Sequence, residues 1–443
     1  MGRIVSLLLL TSLLTVAGCS VSKPAEPEPS AKEPDVAQLT KDPVTLNFYR
    51  YFTGLTDDEF AKYIVEPVKL KFPNVTLNFV KGETTGNMSP ENILSTGNAP
   101  DIIFTSNFSL MHFRTLQYPI PLDPEMKRSN LDLAKFDPVV IDALRKYGDN
   151  GEIYALPFTM NLGVLFYNKD IFDRFGVPYP KESSTWEDIL ELSKKLTRTD
   201  GGVQYRGVVL PGLNVLADQR SVPYADAKTK KSTATTHDQW PKIMQLMKQF
   251  YEIPGVLDST GKVPPLNRGF VEERTTAMWP QWDVNAFGIL ADLEKKGAPI
   301  NWDMTTQPSH KELPGVGRRV DFQIMMVSQA SKNQQLAFEV IKHLSTYEPL
   351  HTEMTKNAKM TVLGSEEIRK QFGSNLSLLK GKNVASILKT KPAPLAPVTP
   401  YDSALSSEMN TAFNEVASGA KDINTALMRA QESADKKIVE IGR

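Results

Sequence analysis

This chain of 443 residues is poor in cysteine and has no excess of charge of either sign. Cys19 is its single cysteine, which excludes a disulfide within the chain and a zinc site built from cysteines. The 51 basic residues are balanced by 51 acidic ones, so no basic surplus is available to neutralise phosphates. We therefore predict that nucleic acid is not a partner.

Long apolar runs are also absent, apart from Ile4–Val16, which is itself too short to cross a bilayer. Arg3 precedes this run and small residues end it, a pattern typical of a secretory signal. The ending Val16-Ala17-Gly18-Cys19 resembles a bacterial lipobox, which implies cleavage before Cys19 and a lipid on that residue. We predict a signal peptide at residues 1–18 and a lipid anchor at Cys19. An ordinary export signal followed by a buried cysteine is the alternative.

The segment after Cys19 is rich in proline, glutamate, lysine and serine. Such a composition cannot bury enough apolar surface to fold, and its prolines favour extended chain. We therefore predict that residues 19–43 comprise the lipidated cysteine and a disordered tether, which holds a folded body above the membrane surface.

The folded body opens with segments that alternate between strand and helix patterns. In chain order they are Val44–Phe48, Asp57–Phe72, Val75–Val80, Ser89–Thr96 and Asp101–Phe104. Pro67 is expected to kink or split the first helix. This β-α-β-α-β order predicts an α/β fold with parallel strands covered by helices, in which ligands bind beyond the carboxyl ends of the strands.

Three motifs in the middle of the chain carry a family resemblance: Gly151–Phe158 (GEIYALPF), Leu165–Phe172 (LFYNKDIF) and Thr185–Leu190 (TWEDIL). Their order resembles the family 1 extracellular solute-binding proteins, which include maltose-binding protein and show GKIYGLP, LYYNKDLF and PKTWDEL. Ser184 and Glu187 also have the spacing of a capping box at a helix start.

Weaker matches extend this resemblance over nearly all of residues 44–443. They are Phe270–Ala277, Pro280–Trp282, Asn301–Met304, Ser328–Leu344 and Lys421–Ile438. The chain departs from the family pattern at Glu273-Arg274, which replace a Gly-Lys pair, and in the proline-rich stretch Lys391–Pro400.

The resemblance implies a two-lobed periplasmic-binding-protein-like fold. Each lobe would be a mainly parallel sheet flanked by helices, and crossover strands would join the lobes. The first lobe would comprise residues 44–157 and 320–370, and the second residues 158–319 and 371–443. Proteins of this architecture close around a ligand by a hinge motion.

The ligand that the resemblance implies is a sugar or oligosaccharide. A sugar has apolar ring faces and a rim of hydroxyls, so its site needs aromatic rings and polar side chains. The predicted ligand-binding residues are Tyr51, Asn107, Asn161, Trp282, Asp283 and Tyr401. A core or hinge position remains the alternative for Trp282, whereas Trp186 and Trp302 are predicted to lie in the core.

Catalytic motifs are missing: the chain has no G-x-S-x-G, no H-E-x-x-H and no glycine-rich phosphate loop. We predict a monomeric binding protein without enzymatic activity, cofactor or metal. The resemblance implies that it delivers its ligand to the permease of an ABC importer at the extracytoplasmic face of the membrane. A long tether suits a Gram-positive cell surface. The alternatives are a lipoprotein that binds a peptide, polyamine or metal chelate, an exported glycoside hydrolase, and a sensor.

Overall fold

The computed structural model describes residues 36–442 except 53, 98, 209–211 and 263–265. The predicted signal peptide, Cys19 and most of the predicted tether lie outside the described residues. The end of that tether lies on the folded body, because Val36–Leu39 form a short helix, α1, and Leu39 packs against the hydrophobic core.

Strands and helices alternate along much of the described chain. The strands are β1 Val44–Arg50, β2 Val75–Lys81, β3 Ile102–Ser106, β4 Leu156–Asn161, β5 Gly163–Asn168, β6 Arg198–Asp200, β7 Val203–Val208, β8 Ala225–Asp226, β9 Lys231–Ser232, β10 Thr276–Trp282, β11 Trp302–Thr306, β12 Val316–Arg319, β13 Asp321–Val327, β14 Met360–Thr361 and β15 Lys391–Ala393. After α1, the helices are α2 Asp57–Phe60, α3 Glu66–Lys71, α4 Leu110–Thr115, α5 Asp123–Arg128, α6 Pro138–Arg145, α7 Lys169–Phe175, α8 Trp186–Leu196, α9 Leu213–Gln219, α10 Gln239–Tyr251, α11 Leu266–Val271, α12 Asp283–Lys295, α13 Gln334–Thr346, α14 Glu348–Lys356, α15 Glu366–Arg369, α16 Asp402–Ala417 and α17 Ile423–Ile441. Short 3-10 turns are formed by Ile93–Thr96, Asn107–Ser109, Leu133–Lys135, Ser377–Leu379 and Val384–Lys389.

The first lobe is built on a six-stranded sheet with the order β14-β4-β13-β3-β1-β2. Strands β2 and β3 both run parallel to β1, as the opening β-α-β-α-β pattern predicts. Strand β13 is antiparallel to β3 and β4, and β14 is antiparallel to β4. The parallel part of this sheet is therefore the part formed by the start of the chain.

The second lobe is built on a five-stranded sheet with the order β11-β5-β10-β7-β6. Strand β10 is parallel to β7, and the other neighbouring strands are antiparallel. The predicted two-lobed α/β architecture is confirmed, but both sheets are mixed rather than mainly parallel. The difference arises at the strands next to the crossings between the lobes, which are antiparallel to their neighbours. These strands are β4, β5 and β13.

The chain passes between the two sheets at Leu162 and again after β12. Leu162 is the single residue between β4 of the first sheet and β5 of the second. Strand β12 pairs in parallel with β15 as a separate ribbon, and after Val320 the chain enters the first sheet as β13. We refer to Leu162 and this ribbon as the hinge.

Burial follows the position of each strand in its sheet. The central strands β5 and β13 are buried along their whole length, whereas the edge strand β2 is exposed at most positions. Both tryptophans predicted for the core, Trp186 and Trp302, are buried. Burial on both faces thus explains the continuous apolar runs Val164–Tyr167 of β5 and Ile324–Val327 of β13.

Local sequence signals position the helices. The predicted helix over residues 57–72 is split by a π-helical turn at Ala61–Val65, just before Pro67, which lacks the N–H that a regular helix needs. A capping box starts α8, but it joins Thr185 and Asp188 rather than the predicted Ser184 and Glu187. The Ser184 hydroxyl instead donates to the carbonyl of Lys181 at 2.7 Å. Within the described residues, no helix has the length and apolar character needed to cross a membrane.

Candidate functional site

A cavity of about 770 Å³ lies between the two lobes. One side is formed by first-lobe segments and the other by α9, the loop before α16 and the start of α16. The lining side chains include Tyr51, Phe52, Glu91, Phe108, His112 and Tyr147 on one side, and Asn214, Asp218, Tyr224, Thr399, Pro400 and Asp402 on the other. Arg319 of the hinge also lines it.

A second cavity of about 250 Å³ adjoins the first and shares Phe108, Asn214, Asp218 and Arg319 with it. It adds Trp282, at the end of β10, together with Arg318 and Val215. We call the two cavities together the cleft, and the smaller one the hinge cavity.

Aromatic rings are exposed on the first-lobe side of the cleft. Phe52 is 63% exposed and Phe108 is 41% exposed, both unusually high for large apolar side chains. Phe52 is supported from behind by Tyr51, with ring centres 4.5 Å apart in an edge-to-face arrangement. Tyr51 in turn packs edge-to-face against Phe113 at 5.7 Å. Phe52, Tyr51 and Phe113 therefore form one supported apolar surface rather than isolated side chains.

Two consecutive arginines of the hinge, Arg318 and Arg319, stack on aromatic rings in the cleft. The Arg318 guanidinium lies 3.9 Å from the centre of the Trp282 ring, and that of Arg319 lies 3.9 Å from the centre of Phe108. Arg319 also forms an ion pair with Asp218 of α9 at 3.2 Å. Through these contacts Arg319 connects a first-lobe ring with a second-lobe carboxylate.

Carboxylates at the cleft are largely desolvated. Burial raises the pKa of Asp218 above its ordinary value, although Arg319 and Arg318 oppose that shift. Burial also raises the pKa of Asp321, which accepts a hydrogen bond from Asn161 at 2.6 Å. The other oxygen of Asp321 is buried and accepts no hydrogen bond from the described residues. Burial also raises the pKa of Asp402.

The predicted ligand-binding residues divide into four groups by position. Tyr51 and Trp282 line the cleft. Asn161 is partly buried and reaches the region through its hydrogen bond to Asp321. Tyr401 immediately precedes α16 and packs against the second-lobe core, between two residues that line the cleft, Pro400 and Asp402.

Asn107 and Asp283, also predicted to bind the ligand, are both buried in this conformation. The Asn107 amide accepts from the Phe322 N–H at 3.1 Å and donates to the Tyr147 hydroxyl at 3.4 Å. The Asp283 carboxylate accepts from the N–H groups of Leu162 and Val284 at 2.9 and 2.8 Å. In this conformation their polar atoms therefore hold the walls and the hinge of the cleft.

Asp283 gives this hinge a specific pH dependence. Burial raises its pKa to about 7, despite the two backbone N–H donors. An aspartate in the unfolded chain ionises near pH 4, so between about pH 4 and 7 the folded state retains a proton that the unfolded state has lost. The contribution of Asp283 to stability therefore falls as pH rises through this window and is constant above it.

We expect Asp283→Asn to remove this dependence, since an amide oxygen still accepts both hydrogen bonds and does not ionise. The free energy of unfolding of the native protein, measured by urea denaturation, should fall relative to that of the variant between pH 4.5 and 7.5. Asp292→Asn, at an exposed position of α12, is the matched control and should show no such trend. A constant difference between native protein and Asp283→Asn across the window would contradict the assignment.

The sequence analysis missed Arg318, Arg319 and Asp218. The two arginines are adjacent in the sequence and come just before the buried strand β13, which is the one signal that could have pointed to them. Asp218 had no comparable signal in the sequence. In the part of the chain that the structure describes, no cluster of three or more His, Cys, Asp or Glu side chains forms a metal site.

Residues 54–349 match the family of bacterial extracellular solute-binding proteins, which is about two thirds of the chain. The cleft between two α/β lobes is the site that such a match leads one to expect. The chain belongs to this family.

The curated relatives of this solute-binding protein share modest identity with it. The arabinooligosaccharide-binding protein of Bacillus subtilis is 28% identical over 211 residues, which are 45% of this chain and 42% of that protein. The chain thus matches less than half the length of that relative. The galactooligosaccharide-binding protein of the same species is 24% identical over 312 residues, which are 65% of this chain and 66% of that protein.

Solved structures of similar fold cover almost the whole chain. An ABC substrate-binding protein from Listeria monocytogenes in complex with cycloalternan has a TM-score of 0.70 at 18% identity, covering 90% of this chain and 99% of that one. The sugar-binding protein MalE from Xanthomonas citri has a TM-score of 0.65 at 17% identity, covering 90% and 98%. At these identities the likeness establishes the fold.

Proposed function

We propose that this solute-binding protein captures an oligosaccharide in the cleft and delivers it intact to the membrane subunits of an ABC importer. The observation that carries the proposal is the composition of the cleft. The exposed rings of Phe52 and Phe108 and the half-buried ring of Trp282 lie among the arginines of the hinge and the carboxylates around it. Rings that stack on sugar faces, with donors and acceptors for hydroxyls, are what a saccharide requires.

Two adjoining cavities favour a saccharide of more than one unit. The larger cavity has a volume of about 770 Å³, which is within the range that accommodates drug-sized ligands. The hinge cavity extends this space past Phe108. The names of the arabinooligosaccharide- and galactooligosaccharide-binding relatives and the bound cycloalternan of the Listeria protein support the same size class.

Contacts across the cleft support closure of the lobes around the ligand. The loop after β1 approaches the start of α12, since a Cβ placed on Gly54 would lie 3.3 Å from Cγ2 of Val284. Arg319 bridges Phe108 and Asp218 at the other side. In this proposal residues 44–157 and 320–370 move as one lobe and residues 158–319 and 371–443 as the other, and the ligand stabilises the closed state by its differential affinity.

We also propose a cellular location and an oligomeric state for the protein. The protein acts as a monomer, without catalysis, at the extracytoplasmic face of the cell membrane. Cys19 carries the lipid, and the tether gives the lobes freedom to reach the permease. A Gram-positive envelope fits this design, because a receptor without an anchor would be lost from a cell with a single membrane.

Calorimetric titration of the purified protein with a panel of oligosaccharides, peptides and polyamines tests the proposal, with chromatography of the recovered ligand. We expect saturable binding to at least one saccharide, which is recovered unchanged. Binding only to peptides or amines would favour the non-sugar alternative. Release of shortened saccharides would show that the protein is a glycoside hydrolase.

The backbone at Phe52 allows the aromatic surface to be tested separately from folding. Phe52 has a φ of 46°, a left-handed conformation that costs a residue with a Cβ about 1 kcal/mol. We expect Phe52→Gly to be about 1 kcal/mol more stable than Phe52→Ala in urea denaturation. Both variants should lose about tenfold in saccharide affinity by calorimetry, since both lack the ring. Equal stability of the two variants, or unchanged affinity, would contradict this role.

A further inference from the structure

Arg318 is a cation of the cleft that lacks a paired counter-ion. Its guanidinium lies 3.9 Å from the centre of the Trp282 ring and forms no hydrogen bond or ion pair with any residue that the structure describes, while its aliphatic stem packs against Gly163 of β5. Burial lowers its pKa to about 10, because the charged form is poorly solvated. The neighbouring Arg319, by contrast, has Asp218 at 3.2 Å.

The stacked geometry leaves the donors of Arg318 available. A guanidinium that lies over an aromatic ring uses its planar face for that contact, and its N–H groups point outward in the plane. Two of those N–H groups form a fork that matches two oxygens of a carboxylate or phosphate. The stack on Trp282 also restricts the side chain, so less rotamer freedom is lost when an acceptor binds.

Charge in the hinge cavity is not balanced by its own lining. Arg318 and Arg319 contribute two positive charges, and Asp218 contributes the one carboxylate among the lining residues. The Asp321 carboxylate also acts on the pKa of Arg318, which it raises. It forms no ion pair with Arg318, however, and accepts a hydrogen bond from Asn161 instead. Burial raises the pKa of Asp321 and so favours the neutral carboxyl group. A neutral carboxyl group does not balance the positive charge of Arg318.

We propose that the ligand is an acidic saccharide and that Arg318 binds its anionic group, with the adjoining sugar ring beside Trp282. The anionic group is the carboxylate of a uronic acid unit or the phosphate of a sugar phosphate, since both match the same fork. This inference rests on the proposed function, because it names the substrate class of the same cleft.

The test compares acidic saccharides with neutral ones of the same skeleton. Native protein is titrated with uronic acid oligosaccharides from pectin, alginate and glucuronoxylan, with their carboxyl-reduced counterparts, and with hexose 6-phosphates and free hexoses. We expect an acidic member to bind at least about 30-fold more tightly than its neutral counterpart. Comparing the uronic acid titrations with the hexose 6-phosphate titrations shows whether the anionic group is a carboxylate or a phosphate.

Variants of Arg318 assign the preference to this side chain. We expect Arg318→Gln to lose about 30-fold in affinity for the acidic ligand and less than threefold for a neutral one. Arg318→Lys keeps the charge without the fork and should lose less. The control is Arg198→Gln, because Arg198 also stacks on an aromatic ring, Phe175, at 4.8 Å, but on the exposed edge strand β6.

Stability separates a binding role from a structural one. The half-buried Arg318 guanidinium forms no ion pair within the described residues, so its removal breaks no attractive pair and Arg318→Gln should melt at the same temperature as native protein or higher. A lower melting temperature with unchanged ligand preference would overturn the proposal. Binding of a neutral saccharide as tightly as its acidic counterpart would overturn it as well and leave the proposed function intact. Binding of no saccharide at all would instead remove the proposed function.

Discussion

Replacing Trp282 with alanine is expected to weaken saccharide binding about 100-fold while the protein stays folded. Trp282 lies at the end of β10, half-buried, and its ring lines the hinge cavity. Its removal takes away the stacking surface for a sugar ring and the support on which Arg318 lies. The four other tryptophans, Trp186, Trp240, Trp279 and Trp302, are all buried in the cores.

Calorimetric titration of the native protein and of Trp282→Ala measures the effect, with far-ultraviolet circular dichroism as the check on folding. Trp282→Phe is the matched variant and should retain part of the affinity, because a smaller ring remains. Unchanged affinity of Trp282→Ala would make Trp282 a structural residue of the hinge. Loss of the folded spectrum would lead to the same conclusion.

Replacing Cys19 with serine is expected to move the protein from the membrane to the soluble fraction almost completely. Cys19 lies outside the described residues, so this expectation depends on the lipobox resemblance of Val16–Cys19. Serine has no thiol to receive a lipid, so the variant lacks the acyl chains that would hold the protein at the membrane surface.

Fractionation of cells that express native protein or Cys19→Ser, followed by immunoblotting, measures the distribution. Ser20→Ala is the control and should stay with the membrane. Retention of Cys19→Ser in the membrane fraction would contradict the lipid anchor and would favour an ordinary export signal or an uncleaved apolar segment.

The fold was predictable from the sequence where local patterns determine it. The alternating or continuous apolar residues of β1, β2 and β3 predict these strands directly. Their parallel pairing follows from the helices between them. The mixed character of the sheets was not predictable, because the direction of β13 depends on how the chain returns from the second lobe. A local motif also shifted by one residue, when Thr185 rather than Ser184 capped α8.

The site was predictable only in part. Motif matches pointed to Tyr51 and Trp282, and both line the cleft. Sequence cannot tell whether a polar side chain faces a ligand or satisfies backbone groups, and Asn107 and Asp283 do the latter. The Arg319–Asp218 pair joins residues far apart in the chain, so it appears only when the lobes are assembled.

A crystal structure of the protein with the saccharide that binds most tightly in the titrations tests the central claim most directly. We expect the saccharide to lie between the lobes, with one ring against Trp282 and polar contacts from both sides of the cleft. A saccharide bound on an outer surface, or within one lobe without contact to the other, would contradict it.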